Sequence, residues 1–333
     1  MNSITMKLAL ATAALAFTIG GASADVIKWD MPMEYNASTH HAKGDEFFAK
    51  LLKEKTGGKI EIVHHFGGSL GYKSKDHFDA VGDGAVPLAD TYVGPLQGID
   101  PMFLLSSLPF VASTIEEAKI LFEVAKPYYD EVFAKANQKL LWSTPWPPSG
   151  IWGKKPIDSL EDLKNLKIRT YDANGTITLK AAGAAAIQLS WADVVPQLGT
   201  GGISAVLTSA EGGRGANFWD HLNHFTELNY AAPLNMTHIN LDVFNGLSAD
   251  LQKAVLEAAK ATGENNWKAV ITLRQRNYKI LGENGVTVVQ GVPKTYLKAL
   301  SDAGQEALNQ WLAKTGAKGQ KIMAEYKKRT GKM

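Results

Sequence analysis

Arg169 is the side chain in this sequence that is best placed to bind a small anion. It lies near the carboxyl end of a predicted strand, Lys167–Tyr171, and ligands of open α/β sheets bind outside the carboxyl ends of the strands. A guanidinium group offers two parallel N–H donors that match a carboxylate. The residues alone equally allow a solvated arginine that forms an ion pair with Asp172 or Glu161.

Other residue types that carry chemistry do not form a recognisable catalytic or metal motif. The histidine pairs His40-His41 and His64-His65 have no carboxylate at the spacing of known zinc motifs. The glycine-rich runs 67–71 and 212–215 match neither a phosphate-binding Walker loop nor the dinucleotide fingerprint. No serine has the glycine-flanked pattern of a hydrolase nucleophile. We therefore predict no enzyme, no metal site and no cofactor.

Composition sets further bounds on the class of protein. The chain has 333 residues and a formal net charge of +2, so a nucleic acid is not an implied partner. It has no cysteine, which excludes disulfides and thiol chemistry. Single hydrophobic cores stop growing at about 250–300 residues, so we expect two domains.

The amino terminus has the pattern of an export signal. Lys7 is followed by the apolar run Leu8–Ile19 and by Ala22-Ser23-Ala24, a small-residue cleavage site. We predict that residues 1–24 are a signal peptide cleaved after Ala24. No later run is long and apolar enough to cross a membrane. The expected location is the periplasm.

The remaining chain alternates between predicted strands and helices, which favours an α/β fold with parallel sheets. The segment Thr144–Gly150 carries three prolines and is typical of a stiff linker between lobes. A helical pattern over Ala249–Glu283 is long enough to bridge both lobes, with a bend expected at Gly263. We also predict a strand over Asn240–Phe244 and a basic helix over Lys294–Arg329.

Several tryptophans lie close to the linker and to predicted strand ends. Trp146 and Trp152 flank the proline-rich segment, and Trp191 follows the strand Ile187–Leu189. Most tryptophans fill cores. A tryptophan among prolines is less easily buried, so these rings are candidates for the walls of a cleft whose charged anchor is Arg169.

Three motifs give the chain a resemblance to a known family. They are Gly68-Ser69-Leu70-Gly71, Leu108-Pro109-Phe110 and the run Leu160–Arg169. With this order of elements, the mature chain resembles the periplasmic solute-binding proteins of tripartite ATP-independent periplasmic (TRAP) transporters, the DctP family. The resemblance implies a fold like that of type II periplasmic binding proteins, with two α/β lobes joined by a hinge and a long bridging helix.

The resemblance also implies lobe boundaries and roles for individual residues. The first lobe would comprise residues 25–149 and about 236–275, and the second residues 150–235 and about 276–333. Arg169 would pair with the ligand carboxylate and Trp191 would pack against the ligand. Thr208 and Ser209 follow the segment that stands where the family has a Thr-Gly-x-x-Asp-Gly run, and they would contact the ligand.

Departures from the family pattern bear on the ligand. Ser204-Ala205 replaces Asp-Gly, and Asp193 replaces the usual glutamate. Some members carry a second arginine after the linker, but Ser149–Gly153 contains none. We therefore expect a monocarboxylate, with aromatic, hydroxy and keto acids as candidates. A receptor for a four-carbon dicarboxylate, and a periplasmic enzyme or sensor-linked binding protein on the same fold, stay open as alternatives.

The two-lobed arrangement predicts how such a receptor works. The acid would enter an open cleft, and closure would expel water and add contacts from the first lobe. Asn36, Tyr72, Asp90 and Tyr92 lie at predicted strand ends or loops of that lobe and are candidates for these contacts. The implied partners are a small and a large membrane permease subunit driven by an ion gradient, and the receptor is expected to be a monomer.

Overall fold

The computed structural model describes residues 26–332. The predicted signal peptide and its cleavage site lie outside these residues. The strands are β1 (Ile27–Pro32), β2 (Ile60–His65), β3 (Leu88–Tyr92), β4 (Gln138–Pro145), β5 (Ser149–Gly153), β6 (Lys167–Thr170), β7 (Ala185–Gln188), β8 (Ala205–Ser209), β9 (His224–Thr226), β10 (Leu234–Asn240) and β11 (Thr287–Val289).

The helices alternate with these strands along most of the chain. They are α1 (His40–Lys55), α2 (Ser74–Gly82), α3 (Ile115–Lys135), α4 (Leu160–Leu163), α5 (Ala173–Ala181), α6 (Val194–Thr200), α7 (Ala210–Gly215), α8 (Leu241–Asn245), α9 (Ala249–Ala269), α10 (Leu273–Glu283), α11 (Lys294–Thr315) and α12 (Ala317–Thr330). Along residues 26–332, none of the helices combines the length and the apolar character needed to cross a membrane.

The strands form two separate groups. In the first group, β1 pairs with β2, and β10 lies between β3 and β4. An isolated bridge between Met33 and Asp90 connects these two small sheets. The second group is a six-stranded sheet in the order β11-β9-β5-β8-β6-β7. In this sheet β6 runs parallel to β7 and β8, so these three strands end at the same edge.

The chain passes between the two groups of strands at three places. The proline-rich segment leads from β4 in the first group to β5 in the second, and residues 227–233 lead back from β9 to β10. The third passage is helical: α9 packs on α1 and β4, and α10 packs on α7 and β11. The predicted α/β fold with a linker and a long bridging helix is therefore confirmed.

Short polar side chains begin the helices that lie next to the cleft between the sheets. Thr39 Oγ1 accepts from the amide of Ala42 at the start of α1. Asp172 Oδ1 accepts from the amide of Gly175 in α5, at 3.2 Å. Ser209 Oγ likewise caps α7. Such N-caps satisfy amide groups that have no partner within the helix.

The structure corrects three of the predicted elements. Residues 240–244 do not form a strand, because β10 ends at Asn240 and its side chain accepts from the amide of Val243 to begin α8. The C-terminal helix is divided in two at Gly316, which has a φ of 57°. The long bridging helix is also interrupted, by a 3-10 turn at Val270–Thr272 and not at Gly263.

The packing of the last helix, α12, indicates to which of the two predicted lobes this helix belongs. Helix α12 lies against α3, and its residues Ile322 and Tyr326 join the same core cluster as Phe103 and Phe133. The sequence analysis assigned all of residues 276–333 to the second lobe. The lobe boundaries stay a prediction, and the packing of α12 favours its assignment to the first.

Two buried histidines on the first group of strands make stability depend on pH. His77 Nδ1 and His238 Nε2 both lie within hydrogen-bond distance of Thr91 Oγ1, at 3.1 and 2.8 Å. Burial lowers the pKa of His77 from 6.5 to about 4 and that of His238 to about 3. Both rings are therefore neutral in the folded protein down to these pH values. In the unfolded chain they are protonated below about pH 6.5, so unfolding at a pH between these limits adds a proton to each ring.

The free energy of unfolding should therefore fall as the pH is lowered from 6.5 to about 4. For His77 alone the difference between the two pKa values corresponds to about 3 kcal/mol. Chemical denaturation at several pH values would measure it. The variant His77→Gln carries no titratable ring there, so its unfolding free energy should vary less with pH across this window. Equal pH dependence in the two proteins would contradict the prediction.

Candidate functional site

Arg169 lies on β6 in the second sheet, and its side chain is buried with 2 % of its surface exposed. Within residues 26–332 it forms no ion pair, and its one hydrogen bond runs from Nε to the carbonyl oxygen of Leu189, at 3.0 Å. Its guanidinium carbon lies 5.5 Å from the centre of the Trp191 ring. The ion pairs with Asp172 or Glu161, allowed by the sequence, are not formed.

The electrostatics of Arg169 favour an anionic partner. Burial lowers the pKa of Arg169 from its ordinary value, and the nearby Tyr35 and Glu34 oppose that change. Arginine keeps its proton in proteins, so the buried group carries a full charge. A buried charge without a partner is costly. Among residues 26–332 the two terminal nitrogen atoms have no hydrogen-bond acceptor, which leaves the fork of donors able to bind a carboxylate.

A small cavity of about 20 Å³ lies beside the guanidinium group. By volume it holds roughly one water molecule. It is lined by Tyr35, Tyr92, Trp146, Ser149, Arg169, Tyr171, Thr208, Ser209 and Pro233.

A second cavity, of about 330 Å³, adjoins the first, because Tyr35, Tyr92, Arg169 and Tyr171 line both. We call the smaller one the inner cavity and the larger one the outer cavity. Leu189 and Trp191 also line the outer cavity.

Six of the residues that the sequence predicted to bind the ligand line one of these two cavities. Arg169, Trp146, Thr208, Ser209 and Tyr92 line the inner cavity, and Trp191 lines the outer one. The carboxyl ends of β6 and β8 supply Arg169, Thr208 and Ser209, as expected for parallel strands that end at one edge.

Trp152 was also predicted to wall the cleft, but it lies in the core behind it. The side chain is completely buried, and its Nε1 donates to the carbonyl oxygen of Ser209 at 3.2 Å. A Cβ atom at Gly213 would lie 2.2 Å from the indole ring, so glycine is required for this close approach. Successive residues of a strand point to opposite faces. On β5, Ser149 faces the cavity, and Trp152 therefore faces the other side.

Asn36, Tyr72 and Asp90 do not line either cavity. The carbonyl oxygen of Asn36 accepts from Thr39 at the start of α1, and its side chain is exposed. Tyr72 packs against a small apolar cluster that includes Val81. Asp90 is buried on β3, one position before the histidine-linked Thr91.

Asp90 nevertheless reaches the cavity through other side chains. Its Oδ1 accepts from Asn235 Nδ2 at 2.8 Å, and Asn235 Oδ1 accepts from Trp146 Nε1 at 2.9 Å. Burial raises the pKa of Asp90 to about 7, and it raises the pKa of the neighbouring Asp45 well above its ordinary value. This network orients the Trp146 ring, which packs at a tilt of 54° against Tyr35 with ring centres 4.6 Å apart.

The sequence analysis missed several residues of the cavity wall. Tyr35 follows β1, Tyr171 follows β6, Ser149 begins β5 and Pro233 precedes β10. Tyr171 could have been predicted from the sequence, because residues two apart on a strand share a face and Arg169 was already a candidate. Tyr35 and Pro233 had none, because only the packing of the two groups of strands brings them to Arg169.

Hydrogen bonds across the cleft hold the two groups of strands together around the cavity. Glu34, which follows β1, accepts from the amides of Ser74 and Ala192, each at 2.9 Å. Lys73 forms an ion pair with Asp193 at 2.7 Å. Tyr92 donates to Asp172 Oδ2 at 2.8 Å.

A cavity between two α/β units, closed by bonds across the cleft and lined by a buried cation that forms no ion pair with the described part of the chain, defines a ligand-binding protein of the two-lobed class. The chain belongs to the DctP family of bacterial extracellular solute-binding proteins, family 7, whose profile matches residues 32–327. This confirms the family resemblance. The family and its structural neighbours are solute-binding receptors, so the chain is a receptor and not an enzyme.

Solved structures with the same fold have known ligands. A TRAP solute-binding protein from a marine metagenome, crystallised with co-purified pyroglutamate, is 33% identical with a TM-score of 0.86, over 91% of this chain and 99% of that chain. DctP6 of Bordetella pertussis, an extracytoplasmic solute receptor that binds pyroglutamic acid, is 27% identical with a TM-score of 0.87, over 90% of this chain and 99% of that chain.

A relative without an assigned function aligns over a shorter stretch. The uncharacterized protein YiiZ of Salmonella typhimurium is 28% identical over 54% of this chain, and the match spans 57% of YiiZ. The chain thus spans little more than half the length of that relative.

Proposed function

We propose that this protein is an extracytoplasmic receptor of a TRAP transporter that binds a small organic acid with one carboxylate, anchored by Arg169. The observation that carries the proposal is the buried guanidinium group of Arg169, which faces the inner cavity and has no anionic partner among residues 26–332. A bound carboxylate would supply the missing charge and occupy both free nitrogen atoms.

The lining of the two cavities supports a monocarboxylate over a dicarboxylate. Arg169 is the single cation that lines the inner cavity, and Lys75, which lines the outer one, already pairs with Asp76 at 3.0 Å, so a second carboxylate would have no unpaired cation beside it. Burying an unpaired anion is strongly unfavourable. The rings of Tyr35, Trp146 and Trp191 lie close to Arg169 and suit a flat or cyclic body. Because two similar receptors bind pyroglutamate, we take this acid as the first candidate.

The same proposal includes delivery to the membrane. The two lobes would close on the acid and bring Tyr35, Tyr92 and Trp146 from the first lobe onto a ligand held by Arg169. The closed receptor would then dock on a small and a large permease subunit. We expect a monomeric protein that acts in the periplasm after removal of residues 1–24.

Calorimetry on the mature receptor tests the ligand class. The protein is first unfolded and refolded to remove any copurifying molecule, which is identified by mass spectrometry. It is then titrated with pyroglutamate, lactate, pyruvate, benzoate and succinate. At least one monocarboxylate should bind and raise the melting temperature, since a ligand at 100 times its Kd stabilises a protein by about 2.7 kcal/mol. Stabilisation by dicarboxylates only would overturn the proposal.

A further inference from the structure

Two hydroxyl groups in the wall of the inner cavity, Ser149 Oγ and Tyr171 OH, are buried and form no hydrogen bond of good geometry with any group of residues 26–332. They lie close to each other, because Ser149 opposes the burial that raises the pKa of Tyr171. The exposed fractions of the two residues are 1% and 5%. Buried polar groups in folded proteins are normally hydrogen-bonded. Two orphaned hydroxyls in one cavity wall therefore point to a group that the ligand brings.

Neighbouring hydroxyls of the same cavity differ in this respect. Ser209 Oγ accepts from the amide of Gly212 at 3.1 Å, and Tyr92 OH donates to Asp172. Both of these hydroxyls therefore already form a hydrogen bond within the protein. Ser149 and Tyr171 differ from them because neither hydroxyl is held by another part of residues 26–332, so both can turn towards a ligand.

The chemistry of the two hydroxyls defines what they can bind. A serine or tyrosine hydroxyl donates one hydrogen bond and also accepts, and both are neutral at physiological pH. They therefore suit a neutral group that donates and accepts, such as a lactam, amide or hydroxyl. They do not supply the positive charge that a second carboxylate requires.

We infer that Ser149 and Tyr171 form a second recognition point, which selects acids carrying one neutral group that can both donate and accept a hydrogen bond. This inference rests on the proposed function, in which Arg169 holds the carboxylate. Arg169 and Tyr171 are two residues apart in sequence, and Ser149 lies on β5, beyond β8 from Arg169. Since the inner cavity holds only about one water molecule as it stands, the lobes would open to admit a short acid and close with its two ends on these two points. A site that hydrogen-bonds a polar group strongly rejects an analogue that lacks it.

Two probes of the same ring size separate this inference from the proposed function. L-pyroglutamate has a carboxylate and a lactam, whereas cyclopentanecarboxylate has the carboxylate and no polar group in the ring. We expect the wild-type receptor to bind cyclopentanecarboxylate at least 30-fold more weakly than L-pyroglutamate. Equal affinity for the two probes would overturn the inference and leave Arg169 as the anchor. Failure of both to bind would count against the proposed function.

Substitutions of the two residues make the test specific. Ser149→Ala and Tyr171→Phe should each lower the affinity for L-pyroglutamate about tenfold or more and leave the weak affinity for cyclopentanecarboxylate unchanged. Without ligand, each variant should lose little thermal stability, because within residues 26–332 the hydroxyl that is removed contacts only weakly the other hydroxyl of the pair.

The chain offers matched controls for both changes. Ser74 Oγ and Tyr129 OH are also buried without a hydrogen-bond partner, and neither residue lines the inner cavity. Ser74→Ala and Tyr129→Phe should leave the affinity for L-pyroglutamate unchanged. Equal losses in the control and cavity variants would show a general effect on folding and would overturn the inference.

Discussion

The variant Arg169→Met is expected to lose the binding of small acids while the protein stays folded. Methionine fills a similar volume but has neither the charge nor the two terminal donors. Removing one member of a buried charge pair costs about 3 to 5 kcal/mol, which corresponds to a loss of affinity of about 100-fold or more. Calorimetry with the acid identified for the wild-type protein would measure the change.

The stability of the ligand-free variant provides a second readout. In the free protein the Arg169 guanidinium is buried without an ion pair, so its removal should leave the melting temperature unchanged or raise it. Arg169→Lys keeps the charge but not the planar fork, and it should bind with intermediate affinity.

Arg329→Met is the control for the loss of one positive charge. Arg329 pairs with Glu123 on the surface between α12 and α3, away from the cavity, and should be neutral for binding. Unchanged affinity in Arg169→Met would refute the role of Arg169 as the anchor.

The variant Glu211→Ala is expected to lower the free energy of unfolding by about 3 to 5 kcal/mol, the range for breaking a buried ion pair. Glu211 on α7 is completely buried and accepts from Arg214 at 2.7 Å and from Arg276 at 2.9 Å. It also accepts from the amide of His40 at 2.8 Å. Burial alone would raise its pKa, but Arg214 and Arg276 together hold the pKa below its ordinary value.

These bonds join elements from both groups of strands. The start of α1 belongs to the first group, whereas α7 and α10 belong to the second. Arg214 extends the contact by donating to the carbonyl oxygen of Ser38 at 2.7 Å. The loss of Glu211 would therefore leave the arginines and one helix amide without their acceptor.

An exposed carboxylate with a similar set of partners gives the control. Glu131 forms ion pairs with Lys135 and Lys318 on the surface. Exposed pairs contribute about 0 to 1 kcal/mol each, so Glu131→Ala should change stability little. Urea denaturation of the two variants measures both effects. A small effect at Glu211, equal to that at Glu131, would show that the buried cluster does not hold the two groups of strands together.

Local patterns in the sequence were sufficient for the main elements of the fold. The alternation of apolar residues and the turn signals predicted most strands and helices, since both depend on neighbours along the chain. These patterns wrongly predicted a strand at Asn240–Phe244, where Asn240 ends a strand and caps a helix. β5, β9 and the part of β10 before Asn240 were not predicted, because strands depend on pairing with partners far away in sequence.

Sequence patterns were enough to identify the family and to place Arg169, Trp191, Thr208 and Ser209 near strand ends, because parallel strands bring such positions to one edge. The folded structure was needed to show that Tyr35, Ser149 and Tyr171 complete the cavity wall and that Trp152 lies behind it, because a cavity is built by contacts between distant segments. Which side chains share it depends on strand pairing and on the burial of two apolar cores against each other, and neither is encoded in local periodicity.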